Sequence, residues 1–149
     1  MQQKIILLVE DNPDDEELTR LALQESNIAH QVVVAHDGVE ALDYLFATGP
    51  YADRDPRHIP ALILLDLKLP KIDGLEVLRR LRADDRTKLL PIVILTSSNE
   101  ERDLLAGYSL GANSYVRKAV DFAHFTDDVR QLGAYWLVLN QSLSRRREV

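Results

Sequence analysis

Five short stretches of the chain are apolar at consecutive positions rather than alternating ones. They are residues 4–9 (KIILLV), 31–35 (QVVVA), 61–65 (ALILL), 92–95 (IVIL) and 114–116 (SYV). Strands covered on both faces read this way, as they do in a parallel sheet sandwiched between helices. Between them the spacing becomes helical. Leu18, Leu21, Ala22 and Glu25 mark a first helix, and Val39, Leu42, Leu45 and Phe46 a second. Leu75, Leu78 and Leu81 mark a third, and Leu104, Leu105 and Tyr108 a weaker fourth. A long fifth helix is predicted over residues 121–139, with Phe122, Phe125, Val129, Leu132, Trp136 and Leu139 as a stripe facing the sheet.

The punctuation agrees with these elements. Asn12-Pro13 is a helix cap followed by proline at the first helical position, and Asp14 and Asp15 suit the positive helix start. Asp73-Gly74 opens the third helix in a similar way, and Gly111 closes the fourth. Residues 49–60 form a polar loop with three prolines, Pro50, Pro56 and Pro60. Strand and helix thus alternate five times, which predicts a three-layer α/β fold around a parallel sheet. No repeat, linker or low-complexity tract divides the 149 residues, so a single domain is expected, with its core over about residues 4–138.

Composition narrows the classes of function. With 46% apolar and 28% charged residues, the chain has the make-up of a globular protein rather than a disordered one. It has no cysteine, so thiol catalysis, disulfides and cysteine-based metal sites are excluded. The longest apolar run is the six residues 134–139, whereas a membrane span needs roughly 20. Neither a span nor a signal peptide is expected, which suggests the cytoplasm and no membrane partner. A net charge of −6 argues against a nucleic-acid surface. Arg145, Arg146 and Arg147 read as part of a solvated tail over residues 139–149.

In such folds the chemistry gathers at the carboxyl ends of the strands. Glu10 and Asp11 follow the first strand, Asp66 the third, Thr96 and Ser97 the fourth, and Lys118 the fifth. If the strand order is 2-1-3-4-5, these four strands are neighbours. One crevice then holds three carboxylates, a hydroxyl and an ammonium. Packed carboxylates repel unless a cation lies among them, and oxygen donors without His or Cys point to Mg²⁺. Phosphoryl transfer needs such a metal, a cation such as Lys118 and a hydroxyl such as Thr96. Taken singly, Asp11 reads as a helix cap, Thr96 as a turn residue and Lys118 as a solvated charge. Asp66 resists a bland reading, because a charge that ends an apolar strand is costly unless paired.

The stretches IILLVEDNPDD, LILLDLKLPKIDGLEVL, PIVILTSS and ANSYVRK carry a family resemblance. Together they resemble the receiver domain of two-component response regulators over about residues 4–138. The intervals of 30 residues from Asp66 to Thr96 and 22 from Thr96 to Lys118 are similar to that family's. The resemblance implies a flavodoxin-like fold with strand order 2-1-3-4-5. It implies that Asp66 is the phosphoacceptor for a sensor histidine kinase. Glu10, Asp11, Asp66 and the backbone carbonyl of Lys68 would hold Mg²⁺; Thr96 and Lys118 would contact the phosphoryl group. Tyr115 would be the aromatic switch that moves inward as Thr96 reorients. Lys68 and Ser98 stand where the family tunes dephosphorylation.

More narrowly, the VEDNPDD opening, the 49–60 loop and Tyr135-Trp136 resemble single-domain regulators paired with cyanobacterial phytochrome-type kinases. That subgroup dimerises through its fourth helix, fifth strand and fifth helix. Residues 134–139 would be apolar all round a helix, so Tyr135, Trp136 and Val138 are candidates for contact with a second copy. The alternative is that this segment folds back on its own domain.

Two residues depart from the family pattern. Ala119 follows Lys118 where most receivers have a cis proline; a cis bond before alanine would cost ~3 kcal/mol, so a trans peptide is expected. Glu10 replaces the commoner Asp. The reading is therefore a single-domain, non-enzymatic response regulator that signals to a partner protein. The alternative is a degenerate receiver that binds proteins without phosphorylation. An aspartyl phosphatase would need an acid where Lys68 stands, and Glu10 and Asp11 would repel a flavin phosphate.

Overall fold

The computed structural model describes residues 4–25, 30–98 and 100–140. Its five strands are β1 (Lys4–Val9), β2 (His30–Ala35), β3 (Leu62–Leu65), β4 (Ile92–Thr96) and β5 (Ser114–Arg117). Its five α-helices are α1 (Pro13–Gln24), α2 (Gly38–Phe46), α3 (Gly74–Ala83), α4 (Glu101–Ser109) and α5 (Phe122–Ala134). A single 3₁₀ turn, Gly49–Tyr51, interrupts the 49–60 loop. All strand pairs are parallel and the order is β2-β1-β3-β4-β5.

Every residue of β3 and β4 is buried, as continuous apolar runs require. Alternate residues feed two cores. Leu7, Val9, Ile63, Leu65, Ile92 and Ile94 pack against α2 and α3 on one face. Ile6, Leu8, Leu62, Leu64, Val93 and Leu95 pack against α1 and α5 on the other. Asn12 caps α1 by accepting from Asp14 N at 2.9 Å and Asp15 N at 3.1 Å. Asp73 caps α3 by accepting from Glu76 N at 2.9 Å. No peptide bond is cis among the described residues.

Two helices differ from the pattern read in the sequence. The fifth ends its α-helical course at Ala134 and widens into a π-turn over Tyr135–Leu139. This turn shifts the apolar stripe. Phe125, Val129 and Leu137 are buried, Leu132 and Trp136 pack partly on the core, and Phe122 and Leu139 are exposed. The Lys4 ammonium donates to the Leu137 carbonyl, tying the π-turn to β1.

The fourth helix forms where the spacing predicts it, but its apolar residues point outward. Leu105 is 68% exposed and Tyr108 50%, and the only buried residue of α4 is Gly107. Gly107 packs closely here: a Cβ would lie 2.7 Å from Ile94 Cδ1 and would push that methyl group aside. Residues 141–149, with the three-arginine tail, lie outside the described residues.

Candidate functional site

The ladder bonds of the sheet run on past the strand ends, joining the ends of β1, β2 and β3 and those of β4 and β5. Glu10 N donates to Ala35 O at 2.9 Å, Asp66 N to Val9 O at 3.1 Å, and Lys118 N to Thr96 O at 2.7 Å. Each candidate side chain is thereby carried on backbone that the sheet holds rigid. The start of α3 packs directly on the same place. A Cβ on Gly74 would lie 2.2 Å from Asp66 O and 2.7 Å from Leu67 Cα, so only glycine fits beside the Asp66 backbone.

Lys118 is the hub. Its Nζ donates to Glu10 Oε1 at 2.6 Å, Asp15 Oδ2 at 2.8 Å and Asp66 Oδ2 at 3.2 Å. Glu10 and Asp66 are buried, and Glu10 Oε2 also accepts from Asn12 N at 3.2 Å. Burial dominates the acidity of Glu10. It pushes the carboxyl up to about 7, although Lys118 pulls the other way. For Lys118 itself, burial works to lower the pKa. The hydrogen bonds to Asp15 and Glu10 and the charge of Asp66 outweigh it and hold the ammonium above its ordinary value.

Glu10, Asp11 and Asp66 each offer a carboxylate oxygen within 4.8 Å of the others. Three acids so close repel one another without a cation, and the all-oxygen donor set suits a hard divalent ion. Asp11 is exposed, which leaves water access on one side. Lys68 lies two residues after Asp66, and its N–H donates to Asp66 Oδ1 at 3.4 Å.

Thr96 is fully buried at the end of β4. Its Oγ1 accepts from Ser98 N at 3.4 Å. Ser98 links two further elements: its Oγ donates to Asp103 Oδ2 at 2.6 Å, and its carbonyl accepts from the Tyr115 hydroxyl at 3.1 Å. Burial raises the Tyr115 pKa, so the phenol stays protonated and donates. Glu10, Asp11, Asp66 and Lys118 therefore meet at the strand ends, the Thr96 carbonyl holds the Lys118 backbone beside them, and the Tyr115 hydroxyl reaches the Ser98 carbonyl.

Tyr135, Trp136 and Val138 lie apart from that crevice, on the π-turn. Val138 is 58% exposed and Tyr135 about as much, whereas Trp136 packs partly on the core and edge-on to Tyr135. Asp15 was not expected at the site. Its sequence position suggests only a helix-start charge, and nothing local signals a partner 103 residues away.

This geometry is that of a known group of proteins. The model of the response regulator receiver domain matches residues 6–130. The chain belongs to that family. As a receiver it is a signalling protein of two-component systems and is related to phytochrome response regulators. Response regulator Rcp1 of Synechocystis sp. is 40% identical over 134 residues, covering 90% of this chain and 89% of Rcp1. The structure of the Mn²⁺-bound form of Rcp1 superposes with a TM-score of 0.87, at 36% identity over 94% of this chain and 99% of that one. The phosphorylated cyanobacterial phytochrome response regulator RcpA superposes with a TM-score of 0.88, at 39% identity over 94% of this receiver and 98% of RcpA. The bacteriophytochrome response regulator AtBRR is 52% identical, with a TM-score of 0.75 over 95% of this receiver and all of AtBRR. These matches support the flavodoxin-like receiver fold with strand order 2-1-3-4-5 and a divalent metal site.

Proposed function

We propose that this receiver accepts a phosphoryl group on Asp66 from the phosphohistidine of a sensor histidine kinase. The observation that carries the reading is the Lys118 ammonium, held 3.2 Å from Asp66 Oδ2 at the meeting point of the strand ends. An Asp66 oxygen would attack phosphorus, the nitrogen–phosphorus bond of the donor would break, and its imidazole would leave as the neutral base after taking a proton. Charge develops on the phosphoryl oxygens during the transfer. Lys118 stands ready to pair with that charge, and the Thr96 hydroxyl to donate to it.

Mg²⁺ held by Glu10, Asp11, Asp66 and the carbonyl of Lys68 would supply the remaining neutralising charge. The three clustered carboxylates support that assignment. Glu10, with one more methylene than Asp, is anchored by both Asn12 N and Lys118, so its reach is directed at the cluster.

The output we propose is a change of shape at β5, α4 and α5, read by a partner protein in the cytoplasm. Tyr115 bridges β5 to the loop before α4 through the Ser98 carbonyl and would carry that change. Exposed Leu105 and Tyr108 on α4, and Tyr135 and Val138 on the π-turn, support a homodimer through these last elements. The family relationship to RcpA and AtBRR supports a phytochrome-type kinase as the donor. No helix among the described residues is long and apolar enough to cross a membrane.

The test is intact mass after incubation with a small-molecule phosphodonor, with and without Mg²⁺. A Mg²⁺-dependent gain of one phosphoryl group, absent from Asp66→Asn, is the expected result. A gain that persists in Asp66→Asn overturns Asp66 as the acceptor. No gain from either the small donor or a cognate kinase supports the degenerate receiver.

A further inference from the structure

Three carboxylates share the Lys118 ammonium, and the phosphoacceptor has the longest of the three bonds. Glu10 and Asp66 belong to the metal cluster. Asp15 does not: it reaches in from the first turn of α1, its N–H bound to the Asn12 cap, and its Oδ2 accepts from Lys118 at 2.8 Å. Neighbouring Asp14 is exposed, with no side-chain partner in common with Lys118, so the contact belongs to one position of the helix and not to its acidity in general.

An ammonium has three hydrogens, and here each has a carboxylate. A phosphoryl group arriving on Asp66 brings new anionic oxygens beside Nζ. Asp66, no longer a carboxylate once phosphorylated, gives up its own long bond to Nζ first, and a second hydrogen for these oxygens comes only at the expense of Glu10 or Asp15. Glu10 is buried, so the oxygen that Lys118 holds would lose a hydrogen bond that water cannot reach in to replace. The Asp15 side chain is 35% exposed, and water can take over its oxygen at little cost. Asp15 is therefore the partner that gives way.

We propose that Asp15 is a positioning residue that holds Lys118 toward α1 and competes with the phosphoryl group for it. The inference rests on Asp66 being the phosphoacceptor. Its consequence is that phosphorylation releases the N-terminus of α1 from β5, so that α1 also receives the signal. Asp15 touches no reacting atom and acts only through Lys118.

The experiment uses beryllofluoride, an acyl-phosphate mimic, with saturating Mg²⁺ and the whole chain. Affinity is measured for the parent, Asp15→Asn, Asp15→Glu, Lys118→Ala and the double variant Asp15→Asn/Lys118→Ala. The expected result is a three- to tenfold gain for Asp15→Asn. Asp15→Glu, which still reaches the ammonium, returns toward the parent value. In the Lys118→Ala background the Asp15→Asn gain disappears, because the competition has lost its object.

A gain of equal size in the Lys118→Ala background means a general field effect and overturns the proposal. So does an Asp15→Asn affinity within twofold of the parent. A parent that binds no beryllofluoride while binding Mg²⁺ overturns the phosphoacceptor reading itself, and this inference with it. Side-chain NMR of Lys118 in the unliganded chain is read alongside: a shifted ammonium resonance in Asp15→Asn is expected, and an unshifted one removes the contact.

Discussion

The Tyr115 hydroxyl donates to the carbonyl of Ser98 at 3.1 Å, while the Ser98 hydroxyl donates to Asp103 at 2.6 Å. One residue of the loop after β4 thus ties the edge strand β5 to the first turn of α4. Tyr115→Phe removes only the first of these bonds. Global stability should fall by about 1 kcal/mol or less, since a hydrogen bond gives little net once water competes. Amide exchange at Asp103 and Leu104 should speed up more than exchange in β3. Equal acceleration throughout the domain would show that the hydroxyl supports the whole fold and not this loop.

Lys118→Ala leaves the buried Glu10 and Asp66 without their shared cation. The metal-free variant should lose roughly 3 kcal/mol, as when one partner of a buried pair is removed. Mg²⁺ binding should survive, because the three-carboxylate cluster does not include Lys118. Thermal melts with and without Mg²⁺ check this, and the variant should gain more from Mg²⁺ than the parent does.

Glu10 makes the metal-free protein sensitive to pH. Its carboxyl is raised from 4.5 to about 7 by burial. The fold therefore retains a proton there that the unfolded chain releases near 4.5. That contribution is full below about pH 4.5 and is lost as pH rises toward 7. A divalent ion must displace the same proton, so Mg²⁺ affinity should climb with pH up to about 7 and then level off. Calorimetric titration at several pH values would show it, and Glu10→Gln should flatten the climb.

Gly74→Ala places a methyl group against the Asp66 carbonyl and Leu67 Cα. Backbone cannot yield as a flexible side chain does, so a loss of about 1–3 kcal/mol is expected. If Asp66 is the acceptor as proposed, its phosphorylation should slow more than the stability loss explains, because the shift falls on the Asp66 backbone. A variant with the parent's phosphorylation rate would show that α3 can move away without disturbing the site.

Val138→Glu and Tyr135→Glu put charge on the exposed side of the π-turn. Either should weaken self-association by at least tenfold in sedimentation while leaving the melt close to that of the parent. Trp136→Glu should also lower stability, since its ring packs partly on the core. If both exposed variants sediment as the parent does, the π-turn is not part of a dimer interface.

The sequence by itself determined the ten principal elements and picked out strand-end residues, of which Glu10, Asp11, Asp66 and Lys118 come close together in the structure. Periodicity and capping are local, and a charge that closes an apolar strand is conspicuous wherever the strand lies. Glu10, Asp11, Asp66, Thr96 and Lys118 could be named for that reason, each being the residue with which an apolar run stops or nearly stops. Only the tertiary structure decided which way α4 turns its apolar side, because Leu105 and Tyr108 keep helical spacing whether they face the sheet or water. It alone decided where α5 widens into the π-turn, in which Leu137 is buried and its carbonyl accepts from Lys4. And it alone joined Asp15 to Lys118. A bond between side chains 103 residues apart depends on the order of the strands and the tilt of a helix, which no local pattern encodes.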